Sequence, residues 1–245
     1  SYNPPPQTSN WVNAQANTPR ADRLVISSSY LDVPKEWLGD AFLREAEHQK
    51  QANELLYRHI YLGEITGTGG AIFPNACSRD ITDEEIAQFD NLRQGMDWGY
   101  VNDPFCFVKL HYDATRRDIY IFDEIYGTGI SNRDAIAKVD SLAYPYQPIY
   151  AASAEPKSIR EFKDAGLYVK SADKGPGSVE FGIKFLQGLS HIYIDPHRCP
   201  NTWREFSLYE LEKDRNGEWK REPPDKNNHS IDATRYGLCK DTLTW

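Results

Sequence analysis

The chain is poor in several things at once. Its four cysteines, Cys77, Cys106, Cys199 and Cys239, are widely spaced with no CxxC pair, so neither a disulfide framework nor a zinc site is suggested. A reducing, cytoplasmic setting is then the default. No run approaches the roughly 18 apolar residues of a membrane span, and no membrane partner is expected. Positive charge is scarce: 28 Lys and Arg face 36 Asp and Glu, a net charge of −8. Phosphate neutralisation needs clustered cations, which argues mildly against tight DNA binding. It does not exclude an enzyme that holds metal ions with carboxylates and touches DNA briefly or within a larger assembly. Phosphate loops are missing too, because Gly63-Glu64-Ile65-Thr66-Gly67-Thr68-Gly69-Gly70 meets neither G-x-G-x-x-G nor G-x-x-x-x-G-K-[ST]. No signal peptide precedes the polar, Pro-rich start, and a chain opening on Ser1 reads as a fragment.

What is present is the composition of a folded globule, with 40% apolar and 13% aromatic residues in 245. Tyr2 to Arg23, rich in Asn, Pro, Gln and Thr, reads as an extended loop. Arg23 to Tyr30 reads as a short strand. From Glu36 to about Tyr61 the recurrence of Leu38, Phe42, Leu55, Leu56, His59 and Ile60 predicts a helix or helical pair with one buried face. The glycine run after it suits a hinge, which divides the chain into residues 1–64 and 65–245.

The second part is organised around Gly95-Met96-Asp97-Trp98-Gly99-Tyr100. An Asn102-Asp103-Pro104 turn leads into a strand from Phe105 to about Tyr112, and a polar break separates it from a strand over Ile119 to Tyr126. These make an antiparallel three-strand meander with an acid near its first strand. A helix over Asn132 to Ala143 follows, with Ile136 and Val139 on its apolar face. Then come a strand over Pro148 to Ala152, a helix from Pro156 to Gly166 and a strand from Leu167 to Lys170, a parallel crossover. A helix over Ser178 to Gly188 uses Phe181, Ile183, Phe185 and Leu186 as apolar positions. His191 to Ile194 is a strand, Asn201 to Leu211 a helix, and Asp214 to Gly217 a hairpin tip. The last helix opens at Asn227 or Asn228 as cap and runs through His229, Asp232 and Arg235. The fold class is α/β: a mixed sheet flanked by helices, preceded by a small, mostly helical segment.

His229 and Asp232 share one face of the last helix within its first turns. An acid there is also favourable to the helix dipole alone, a lone histidine is more often packed than a ligand, and Asp97 also suits a strand-end turn. The combination says more. A meander opening on Asp97 is similar to the start of ribonuclease H-like nucleases. That opening, the string Ser153-Ala154-Glu155-Pro156-Lys157-Ser158 after a strand, and His229-x-x-Asp232-Ala233-x-Arg235-Tyr236 together resemble the large terminase subunit of tailed double-stranded DNA bacteriophages.

The resemblance implies a ribonuclease H-like endonuclease of the viral DNA-packaging motor over residues 65–245, with residues 1–64 the end of an ATPase domain. It implies a two-metal Mg or Mn site held by three acids, of which Asp97 is the first and Asp232 the third, with His229 beside Asp232 as ligand or supporting group. The second acid belongs in Ala-Asp-Ser-Ala-Glu-Pro, and this chain has Ala151-Ala152-Ser153-Ala154-Glu155-Pro156. A methyl group cannot ligate a hard cation. Ala152 therefore reads as an inactivating substitution, engineered because everything around it is kept, with a naturally impaired nuclease as the other reading. Lys157, Lys170 and Lys174 are candidate DNA contacts, though solvated surface suits each of them as well. Asp123, Glu124, Asp173 and Asp195 are acids without an assigned role. Implied partners are double-stranded DNA, the small terminase subunit and the portal protein, in the host cytoplasm. The chain has no phosphate-loop lysine, so no ATP hydrolysis is expected. The rival readings are a resolvase- or transposase-type ribonuclease H-like enzyme and a packaging scaffold module with a vestigial site.

Overall fold

The computed structural model describes residues 4, 11–17, 20, 22–52, 54–65, 70–99, 103–172, 175, 177–215, 219–220 and 222–242. The chain forms two compact units, one of Ser1–Ala71 with Glu210–Arg221 and one of Ile72–Tyr209 with Glu222–Trp245.

The first unit has helices α1 (Trp11–Asn17), α2 (Asp40–Ala52) and α3 (Glu54–Leu62), with two single 3₁₀ turns, Tyr30–Asp32 and Lys35–Trp37, between α1 and α2. Helix α1 corrects the expected loop: past the Pro-rich start, WVNAQAN has neither Pro nor Gly to stop a turn from closing. The strand expected over Arg23 to Tyr30 does not form. Residues 23–29 carry no regular structure, and Leu24 and Ile26 stand 82% and 79% exposed. A strand needs a ladder partner, and none lies beside this segment among the described residues. The helical pair is present, but Phe42 and Ile60 are exposed, and among the described side chains Ala46 and Tyr57 are buried, those of Leu55 and Leu56 lying outside the described set. Tyr30, Phe42, Tyr57 and Tyr61 form an aromatic cluster with ring centroids 5.5 to 6.4 Å apart. The expected hinge residues 66–69, and Asn216 and Gly217 of the expected hairpin tip, lie outside the described residues. Lys213 and Trp219 bridge antiparallel on either side of that tip.

The second unit carries a seven-stranded sheet in the order β1-β7-β4-β3-β2-β5-β6. Its strands are β1 (Ala76–Ser78), β2 (Leu92–Asp97), β3 (Phe105–Asp113), β4 (Asp118–Gly127), β5 (Ile149–Ala151), β6 (Val169–Ser171) and β7 (His191–Ile194). The helices are α4 (Asp83–Ile86), α5 (Asn132–Leu142), α6 (Pro156–Asp164), α7 (Ser178–Gln187), α8 (Pro200–Leu208) and α9 (His229–Gly237). Strands β2, β3 and β4 form the antiparallel meander. Parallel pairs extend it on both sides, β5 and β6 beyond β2, and β7 and β1 beyond β4. This is the mixed, helix-flanked, ribonuclease H-like sheet. Strand β1 and helix α4, three and four residues long, escaped the sequence reading because such short runs carry no period. Helix α8 stops at Leu208 rather than Leu211, and on α7 Phe181 is exposed while Ile183, Phe185 and Leu186 are buried.

Strand β3 is buried continuously from Phe105 to Leu110, as befits a strand covered on both faces. On one face Met96, Phe107, Val139, Ile149 and Phe162 form a core under α5 and α6. On the other, Tyr150, Ala152 and Ala172 pack with Tyr236 and Cys239 of α9 and the residues just beyond it. Because side chains alternate across a strand, Gly95 and Asp97 turn toward α9 while Met96 between them turns away. Gly95 lets the helix in. A Cβ there would stand 1.8 Å from the Ala233 carbonyl oxygen and 2.6 Å from the Gly237 nitrogen. Backbone lies directly on backbone at that crossing.

Candidate active site

Asp97 is the last residue of β2, and the contact at Gly95 brings the start of α9 beside it. His229 Nδ1 lies 3.1 Å from Asp97 Oδ2, and both side chains are largely buried, 16% and 15% exposed. His229 Nε2 lies 4.0 Å from the exposed Asp103. The imidazole pKa is raised above its ordinary value. The hydrogen bond to Asp97 is the main cause, burial opposes it, and the charges of Asp97, Glu205 and Asp103 add to it.

Ala152 follows β5 and is buried on the α9 face. Its N–H donates to the Met96 carbonyl at 3.2 Å, and its own carbonyl accepts the Trp98 indole N–H at 2.7 Å. Residue 152 is thus fixed through main-chain bonds to both neighbours of Asp97, whatever side chain it carries. Asp232, three residues along α9 from His229, accepts from Arg235 Nη1 at 2.9 Å. Among the described residues no group of three His, Cys, Asp or Glu side chains gathers closely enough to hold a metal ion. The side chains present do not by themselves assemble a metal centre, and Ala152, buried on the α9 face, has no side-chain oxygen to offer one.

Of the candidate DNA contacts, Lys157 and Lys170 are described, and both are exposed. Lys157 stands exposed on α6. Lys170 stands exposed on the edge strand β6, its ammonium 4.9 Å from the Tyr168 ring centroid. Lys174 and Asp173 lie outside the described residues. A cavity of about 410 Å³ is lined by Lys184, Arg235 and Tyr236, among others, but not by Asp97, Ala152, His229 or Asp232.

The remaining acids are structural. Asp123 pairs with the buried Lys109 at 2.7 Å. Asp195 accepts the backbone N–H groups of Ile81, His197 and Arg198. Glu124 accepts from Asn201 and Thr202 at the start of α8. Sequence reasoning gave no role to Trp98, Arg235 or Glu205. Trp98 adjoins Asp97 and Arg235 follows Asp232 by one turn, so proximity in sequence could have flagged both. Glu205, which bonds Ser230 across 25 residues of chain, left no such signal. The last helix opens at Asn228 as expected, but the Asn228 side chain makes no capping bond.

The chain is similar to known proteins in sequence and fold. The family described as the terminase RNase H-like domain matches residues 97–240. The large terminase subunit of Bacillus phage SPP1 is 43% identical over 247 residues, covering 98% of this chain and 58% of that protein. The PBSX phage terminase large subunit of Bacillus subtilis strain 168 is 26% identical over 206 residues, covering 82% and 47% respectively. The chain therefore spans about half the length of these curated relatives. The crystal structure of the SPP1 large terminase nuclease domain with bound Mn superimposes with a TM-score of 0.66 at 42% identity, covering 69% of this chain and 98% of that one. No helix among the described residues is long and apolar enough to cross a membrane. With a family match that begins at Asp97, runs through Ala152 and takes in all of α9, this chain belongs to the terminase RNase H-like family.

Proposed function

We propose that this chain carries the nuclease of a viral DNA-packaging motor, which cleaves concatemeric double-stranded DNA by metal-dependent phosphodiester hydrolysis, and that Ala152 disables it. The observation that carries this reading is the joining of Asp97 and His229 at 3.1 Å on the sheet face where residue 152 presents a methyl group. The relative with bound Mn supports Mn or Mg as the cofactor. Bound Mg or Mn would supply Lewis-acid activation of a water and neutralisation of a leaving oxygen. The protein's part would be to hold the metal: Asp97 and Asp232 by their carboxylates, His229 as ligand or by orienting Asp97. A carboxylate at position 152 supplies the missing oxygens. Residues 1–64 are, on this reading, the end of an ATPase domain, without ATPase activity of their own. Double-stranded DNA is the substrate, Lys157, Lys170 and Lys174 are candidate phosphate contacts, and the small terminase subunit and portal protein are the partners.

Plasmid nicking and linearisation in Mn²⁺, Mg²⁺ and EDTA, with this chain and its Ala152→Asp variant side by side, tests the reading. Only the variant is expected to cut, and only with metal. Failure of both at high protein and metal favours the packaging scaffold reading, which Ala152 itself supports. Cutting confined to branched DNA would favour a resolvase.

A further inference from the structure

Helix α9 brings His229 and Asp232 to the site, yet its start lacks the usual side-chain cap. The first backbone N–H groups of a helix have no partner within it. Asn227 stands at φ 51, and Asn228 in the cap position makes no side-chain cap bond. The acceptor comes instead from another helix. Glu205 of α8 is 3% exposed, and its Oε2 accepts both the backbone N–H and the hydroxyl of Ser230 at 2.6 Å. Its Oε1 accepts the Tyr126 hydroxyl at 2.5 Å. The same device recurs one step back, where Glu124 of β4 accepts four bonds of 2.7 to 3.0 Å from Asn201 and Thr202 in the first turn of α8. Two carboxylates thus tie β4 to α8 and α8 to α9.

We propose that Glu205 is a positioning residue for the nuclease site: by pinning Ser230, it sets the height and rotation of the first turn of α9, and so places His229 against Asp97 and Asp232 one turn on. The proposal rests on the functional reading of His229 and Asp232 given above. A plain capping role does not require such a group. Asn228 already stands in the cap position, and an uncharged side chain could cap the turn without removing a carboxylate from water. What Glu205 adds is a rigid link from the sheet, through Tyr126, to the residue next to His229. Charge-assisted bonds as short as these fix geometry tightly. A displacement of about 1 Å at a reacting centre is enough to lower turnover about 100-fold.

The test compares Glu205→Ala, Glu205→Gln and Ser230→Ala, each in the unmodified chain and in the Ala152→Asp background. Gln keeps the shape and can turn its oxygen to Ser230 and its amide to Tyr126, whose hydroxyl then accepts. In the Ala152→Asp background, Glu205→Ala is expected to lower kcat about 100-fold with KM for DNA unchanged. Gln is expected to hold kcat within about threefold, and Ser230→Ala, which loses one of the two bonds, to fall between them. In the unmodified chain, without metal, amide exchange across His229 to Asp232 should quicken about tenfold in Glu205→Ala and not in Glu205→Gln, with β3 exchange as the control for global stability. Equal exchange in the parent, Glu205→Ala and Glu205→Gln overturns the proposal whatever the cutting result, as does unchanged kcat in Glu205→Ala when Ala152→Asp cuts. If Ala152→Asp does not cut while exchange follows Glu205, the reading of position 152 fails and the pinning stands. If Glu205→Ala does not fold, Ser230→Ala decides: parental exchange and kcat overturn the proposal.

Discussion

Gly95→Ala should separate the fold from the site. The added methyl would stand 1.8 Å from the Ala233 oxygen and 2.6 Å from the Gly237 nitrogen, whereas real contacts begin at 3.0 Å. The helix must then recede by at least about 1.2 Å, the difference between 3.0 and 1.8 Å. The atoms the methyl meets are backbone and the methyl itself has no rotamer, so no side-chain rotation can relieve the contact. Overpacking of this kind costs about 3 kcal/mol, the upper part of its usual range. For a domain of this size that lowers Tm by roughly 6–12 °C. The same recession stretches the His229–Asp97 bond, now 3.1 Å, beyond hydrogen-bonding reach. In the Ala152→Asp background, kcat should fall about 100-fold while the far-ultraviolet spectrum stays native. Thermal melts and single-turnover cleavage would be read beside Gly175→Ala, whose added Cβ meets nothing within 4 Å. A Gly95→Ala protein that melts and cuts like its parent would refute the claim that this crossing places α9.

Two further outcomes follow from individual bonds. Trp98→Phe keeps an aromatic ring but removes the N–H bonded to the Ala152 carbonyl at 2.7 Å. It should cost about 1 kcal/mol by urea unfolding and, in the Ala152→Asp background, weaken Mn²⁺ affinity by calorimetry; unchanged affinity would show that the indole does not hold residue 152 in place. His111 is stacked on Phe89 at 4.4 Å and its Nδ1 accepts the Asn91 N–H, while burial pushes its pKa below the ordinary value against the opposing charges of Asp90 and Asp113. The unfolded chain therefore takes up this proton first. The contribution of neutral His111 is present above about pH 6.5 and is lost as pH falls through the lower folded-state value. Urea midpoints of the parent should drop relative to His111→Phe between about pH 7 and 5, and parallel profiles would count against a buried neutral imidazole.

The apolar strands β3 and β4, the polar break between them and the crossover through α6 were legible because each is a local pattern that tertiary contacts reinforce. The meeting of Asp97 at a strand end with His229 on a helix is a contact that the structure adds to those local patterns. The segment of residues 23–29 misled because its β-branched and apolar residues describe a strand, while strand formation depends on a neighbour that no local pattern reports. The site divides in the same way. Sequence by itself determined which chemical groups are available, above all that the side chain of residue 152 has no oxygen to offer. Only the tertiary structure decided that Gly95 admits α9, that Trp98 holds the main chain of Ala152, that Arg235 holds Asp232 and that Glu205 caps a helix beginning 24 residues later. Each is a contact between segments far apart in the chain or between side chains whose directions the sequence leaves open, and packing alone sets which of them meet.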